Sequence, residues 1–103
     1  MTRYYIAGPM TGLPDLNFPA FNATAATLRA AGHEVENPAE INPDPTAEWT
    51  DCMFADLKAL TGCDGIVMLP GWEKSPGAQI ERLWATRTGK PVFCAMKLHE
   101  VPA

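Results

Sequence analysis

The sequence predicts one α/β domain, a three-layer sandwich of the flavodoxin or Rossmann kind with about four parallel strands and three helices. Three observations predict it. Short β-rich runs alternate with helical patterns of roughly 10–15 residues, the signature of βαβ units. Proline and glycine separate these segments at regular intervals. The length of 103 residues suits one domain, residues 1–103, and leaves no room for a second.

The elements follow in order. Residues 4–7 are a short aromatic and apolar run that reads as a first strand. Residues 18–31 carry Phe18, Phe21, Ala25 and Leu28 at helical spacing, and Gly32 supplies a C-terminal cap. Residues 33–37 read as a second strand. Residues 38–45 hold three prolines and read as a loop. Residues 46–60 form a second helix, residues 65–69 an apolar strand, and residues 75–88 a third helix ended by Gly89. Residues 91–96 are the last strand. Strands joined through helices build a parallel sheet with right-handed crossovers. Ligands of such sheets bind beyond the carboxyl ends of the strands, where the strand order reverses. Three loops answer that description: residues 8–17, 38–45 and 70–77.

Composition excludes several classes. Apolar residues make up 47% and charged residues 19%, ordinary for a globular chain. A net charge of −4 disfavours a nucleic-acid polymer as partner, since that needs a basic face. No stretch approaches a membrane span, so no membrane partner is expected. The opening M-T-R-Y-Y-I-A-G has no apolar signal region, which places the chain in the cytoplasm as an expectation. Cys52, Cys63 and Cys94 have apolar neighbours and no C-x-x-C spacing, and read as small buried hydrophobes. His33 and His99 make no ligand spacing with them, so no metal site is expected. The first loop, G-P-M-T-G-L-P-D, lacks G-x-G-x-x-G, so neither a dinucleotide nor any other cofactor is expected. It is longer than most βα connections, which run to roughly two to six residues, and its glycines let backbone approach a ligand. A domain this short has a small core, so a homo-oligomer is expected, with exposed aromatics such as Trp49 or Trp72 in the contact.

Two carboxylates stand out from the helical patterns. Trp49, Cys52, Met53, Leu57 and Leu60 share one face of the second helix, and Asp56 falls inside that arc. An acid placed there is buried, which costs free energy unless it is paired or functional, and its pKa is expected to rise. Glu81 lies in the early turns of the third helix and borders the apolar side of Ile80, Leu83 and Trp84. Its place near the helix start is expected to keep it ionised. Ser75 suits the cap of that helix and Pro76 its first position, leaving N–H groups that favour an anion. Two carboxylates of different burial in one cleft divide labour, one ionised and one holding a proton.

Six segments in order then carry a resemblance over nearly the whole chain. They are Y-I-A-G-P-M-T-G, A-G-H-E-V-E-N-P, D-L at 56–57, C-D-G-I-V-M-L, S-P-G-A-Q-I-E and G-K-P-V-F. The chain resembles the nucleoside 2-deoxyribosyltransferases and their relatives, the deoxynucleoside 5′-monophosphate N-glycosidases, within a small branch that opens Y-I-A-G-P-M-T-G. The resemblance implies that Glu81, six residues after Ser75, is the nucleophile, and that Asp56 protonates or orients the leaving base. It implies that the Tyr5 hydroxyl contacts Glu81. It places substrate contacts at Gly8, Pro9 and Met10 of the first segment and at Ser75 and Gly77 of the fifth. The implied reaction is cleavage of the base–sugar bond of a nucleoside or its 5′-monophosphate through a glycosyl-Glu81, completed by water or by a second base. Two carboxyls serving one sugar are expected within roughly 5–10 Å of each other. Thr11 stands where the monophosphate hydrolases carry an Arg, and no Ser follows Ser75, so a 5′-phosphate would fall to loop N–H groups and Lys74. Two other readings stay open. One is a phosphoribohydrolase of the lysine-decarboxylase-like group, whose P-G-G-x-G-T-x-x-E is distantly similar to L-P-G-W-E-K-S-P-G-A-Q-I-E. The other is a nucleotide-binding module without turnover.

Overall fold

Side-chain alternation along the first strand builds both halves of the core. The computed structural model describes residues 2–102. Its strand β1, Arg3–Ala7, turns Tyr4 and Ile6 to one face and Tyr5 and Ala7 to the other. Both faces are covered. Helix α1, Phe18–Ala30, packs Phe21, Ala25 and Leu28 onto the first. On the second, helix α3, Trp49–Thr61, contributes Leu60, and helix α4, Pro76–Arg87, contributes Ala78 and Ala85. A strand buried on both sides reads as a continuous apolar run, which is why β1 and β3, Gly65–Met68, were plain in the sequence.

The sheet has four parallel strands in the order β2-β1-β3-β4, with β2 at Glu34–Glu36 and β4 at Val92–Cys94. The chain leaves β1 for β2 on one side and returns to β3 on the other. Strand order therefore reverses between β1 and β3, and a crevice opens at their carboxyl ends. This is the fold class the sequence predicts. Among the described residues, no helix is long and apolar enough to cross a membrane.

Local chemistry moves several boundaries. Residues 38–45 are not all loop, because Pro38–Ile41 forms a short helix, α2. The Asn37 side chain caps it by accepting the Ala39 N–H at 3.1 Å, and Pro38 occupies its first position. Helix α3 starts at Trp49 rather than residue 46, because Asp44 accepts both the N–H and the hydroxyl of Thr46 and holds a turn there. The last strand ends at Cys94, and Ala95–Glu100 winds into a 3-10 turn. The first loop holds a turn at Pro14–Asn17 in which Asp15, Leu16 and Asn17 all take positive φ. Such a run is strained for L-residues. Asn17 ties it down by donating to the Pro9 carbonyl at 3.0 Å. Of the cysteines only Cys63 is buried; Cys52 is half-buried and Cys94 exposed.

Gly8 shows how tightly the switch point is closed. A Cβ added there would lie 2.6 Å from Leu69 Cβ, an atom anchored directly on backbone. Gly8→Ala is expected to destabilise the fold by about 1–3 kcal/mol through overpacking. Thermal unfolding checks this, and an unchanged Tm would show that the ends of β1 and β3 part easily.

Candidate active site

Helix α4 reaches the sheet through small residues. Ala78, Glu81 and Ala85 are its buried stripe, at the three- and four-residue steps of one helical face. The two alanines let the helix lie close, so the Glu81 carboxyl meets the Tyr5 hydroxyl projecting from β1. That hydroxyl donates to Glu81 Oε2 at 2.6 Å, a short charge-assisted length. Ser75 fixes the helix start: its Oγ accepts the Ala78 N–H at 3.3 Å, with Pro76 in the first turn. The large apolar residues that mark this helix in the sequence face the other way. Ile80, Leu83 and Trp84 are all exposed, and the acid is inside.

Asp56 stands one turn before Leu60 on α3 and is buried beside it. Asn42, just past α2, donates its side-chain amide to Asp56 Oδ1 at 2.8 Å. Only 8% of Asp56 and 5% of Glu81 remain exposed, too little for water to solvate either anion.

Burial is the largest influence on both acids and pushes both pKa values up. Glu81 rises to about 8: the Tyr5 hydrogen bond resists the rise, while the charge of Asp56 and a hydrogen bond with it add to it. Asp56 rises to about 6, held back by hydrogen bonds from Asn42, Glu81 and Tyr5. The two carboxyls line the same cleft, and a charge on either disfavours ionisation of the other. Ionising both acids in one buried site is disfavoured, so the pair titrates as a unit. Burial also raises Tyr5, so its hydroxyl stays a donor. The expectation that the helix start alone keeps Glu81 ionised is corrected here, since burial beside a second acid outweighs it.

A stability trend follows from the sign of these shifts. The folded state binds protons that the unfolded state has already released, so the pair stabilises the fold fully below about pH 4. That contribution is lost as pH rises through about 6 to 8. The Tm is expected to fall over this interval, and Glu81→Gln is expected to flatten the fall. A wild-type Tm that climbs across the interval would contradict the pairing.

The acids open onto a cleft of about 80 Å³ at the switch point. Gly8, Met10, Gly77, Asp56 and Glu81, each singled out in the sequence, line it. Tyr5 stands behind the wall and holds Glu81 from the core. Pro9 and Ser75 are not in the lining: Ser75 caps α4, and the Pro9 ring packs near Gly71. Sequence reasoning did not assign Thr11, Phe21, Pro38, Trp49, Cys52, Met53 and Ala78 to the site, yet all line it. A second cleft of about 150 Å³ shares Met10, Thr11, Cys52 and Asp56 with the first and brings in Asn42 and Asp44. Asn42 lay in the second of the three loops marked from the sequence, but nothing singled it out within that loop. A larger hollow, of about 340 Å³, lies against His33 and His99 and contains no carboxylate. Among the described residues, no group of three or more His, Cys, Asp or Glu is placed to hold a metal ion.

An acid that can ionise, a second acid beside it and a buried hydroxyl donor can perform nucleophilic attack coupled to proton transfer. Comparisons with known proteins bear on the fold. The CMP N-glycosidase BcmB of Clostridium botulinum superposes with a TM-score of 0.64 at 24% identity. The match takes in 90% of this chain and 67% of that one. A 2-desoxiribosyltransferase from Leishmania mexicana superposes with a TM-score of 0.72 at 20% identity. There 91% of this chain matches 63% of the other, so this chain spans less than two thirds of that enzyme's length. At such identities the likeness shows a shared fold. Among curated proteins no significant match is found. The family model described as "Domain of unknown function (DUF4406)" matches residues 2–94. With nearly the whole chain inside that model, the protein belongs to this family.

Proposed function

We propose that this protein is an N-glycosidase or deoxyribosyltransferase that cleaves the base–sugar bond of a (deoxy)nucleoside or its 5′-monophosphate. One observation carries the reading: a buried tyrosine hydroxyl holds one of two buried carboxyls that line a single cleft at the switch point of the sheet. The competent form has Asp56 protonated and Glu81 ionised, so the proton that burial favours on Glu81 must first pass to Asp56. Glu81 attacks the anomeric carbon while the base departs with the electrons of the C–N bond. Asp56 passes its proton to the leaving nitrogen. A glycosyl ester on Glu81 results. Water, or the nitrogen of a second base, then attacks the same carbon, the ester bond breaks with its electrons returning to the Glu81 carboxylate, and Asp56 takes up the released proton. The tyrosine hydroxyl orients Glu81 and supports its anion, and that anion stabilises the oxocarbenium-like transition state. The named activities of the two structural neighbours support the same bond as target. Incubation with a panel of nucleosides and 5′-monophosphates, followed by chromatography for free base, tests the reading. Ligand bound with no base released would favour the binding module instead.

The protein works as a homo-oligomer in this reading. A cleft of about 80 Å³ is small beside ligand pockets of roughly 300–1,000 Å³, so a second copy would complete it. Trp49 borders the cleft while 54% exposed, and Phe54, Leu83 and Trp84 are exposed on α3 and α4. Trp72 is half-buried with the Arg82 guanidinium 4.9 Å over its ring, which makes Trp49 the better contact. Light scattering is expected to give a mass above that of the 11.2 kDa chain. A single 11.2 kDa species at high micromolar concentration would refute the oligomer.

A further inference from the structure

The charge of the two adjoining clefts distinguishes the substrate forms left open above. We infer that the site takes an unphosphorylated nucleoside and discriminates against the 5′-monophosphate of the same nucleoside; the inference rests on the reading of base–sugar cleavage at Glu81. Asp56 belongs to both clefts, Glu81 to one and Asp44 to the other. None of the residues that this chain gives to either cleft is a lysine, arginine or histidine. The residues around the cleft on which a second copy would close, Trp49 and Phe54, bring no cation from this chain either. The chain as a whole carries a net charge of −4. A phosphate monoester brings about −1.5 to −2 charges at neutral pH. Placed beside these carboxylates without a cation, it pays repulsion and desolvation together.

The start of α4 does little to offset this. Pro76 has no N–H, the Ala78 N–H is given to Ser75 Oγ, and the Gln79 N–H is given to the Ser75 carbonyl. Only the Gly77 N–H of that turn is left, and Gly77 has the Met53 methyl against it: a Cβ there would meet it at 3.0 Å. The nearest candidate cation along the chain, Lys74, precedes the cap on the exposed surface and lines neither cleft. The Arg82 guanidinium is engaged over Trp72. What the clefts do offer suits a neutral ligand: Met10, Phe21, Trp49 and Met53 for an apolar ring face, and carboxylates that accept from sugar hydroxyls.

The test is a calorimetric titration of the full chain with each of the common nucleosides and deoxynucleosides, and in parallel with their 5′-monophosphates. Free base is measured in the same samples. At least one nucleoside is expected to bind ten times more tightly than its own 5′-monophosphate, or better. A 5′-monophosphate that binds as tightly as its nucleoside, or more so, overturns the inference, and so does a failure of every nucleoside to bind. Base released from monophosphates alone also overturns it while leaving the cleavage reading standing. A nucleoside that binds preferentially with no base released does the reverse: it refutes cleavage and upholds the neutral-ligand site.

Discussion

Glu81→Gln is expected to lower the rate of base release by about 10⁴-fold or more, because the amide cannot form the glycosyl ester. Folding should survive. The glutamine carbonyl still accepts the Tyr5 hydroxyl, the interaction that now spans 2.6 Å in the core. The substitution also removes an acid whose ionisation is disfavoured by burial, so the variant should be at least as stable as the parent above pH 8. Steady-state rates and thermal unfolding of the same preparation separate the two effects. A variant that loses both activity and fold would be uninformative alone, so Glu81→Asp is paired with it. Aspartate keeps the carboxyl but withdraws it by one methylene, and should lose turnover through misplacement while retaining the pH dependence of Tm.

Asp56→Asn is expected to cost about 10²–10⁴-fold in turnover, the usual range for a lost general acid. The asparagine carbonyl can still accept the Asn42 amide that now sits 2.8 Å from Oδ1, so the local packing is kept. The loss should be greatest for bases that leave poorly and small for bases that depart without protonation. Measuring turnover across bases of differing leaving ability checks this. Full turnover together with a loss of several kcal/mol of stability would make Asp56 a structural acid.

How far the site was legible depends on the size of the residues that mark each element. Asp56 could be read because large apolar side chains, Leu57 and Leu60 among them, outline the inner side of α3. Glu81 was legible as an early-helix acid six residues after Ser75, but its surroundings were misread. Large residues usually mark the inside of a helix, whereas here Ile80, Leu83 and Trp84 look outward and two alanines pack on the sheet. Close approach of helix to sheet requires small side chains, and a hydrophobicity pattern gives these little weight. The same blindness hid α2. Three prolines suggested a loop, yet the first is a helix starter once Asn37 caps it. Asn42, delivered by that short helix to the Asp56 carboxyl, was therefore out of view. The left-handed run of Asp15, Leu16 and Asn17 had no sequence cue at Leu16, since leucine seldom takes positive φ. The central strands were the easy part, because burial on both faces writes itself as an unbroken apolar run.

The central claim is covalent: Glu81 carries the sugar between two half-reactions. Mass spectrometry of the protein, acid-quenched during turnover with a cleaved nucleoside, addresses it directly. The expected result is a mass increase equal to one glycosyl group, mapped to the peptide containing Glu81 and absent from Glu81→Gln. Continued release of base with no adduct on the wild-type protein, and with Glu81→Gln as active as the parent, would contradict it.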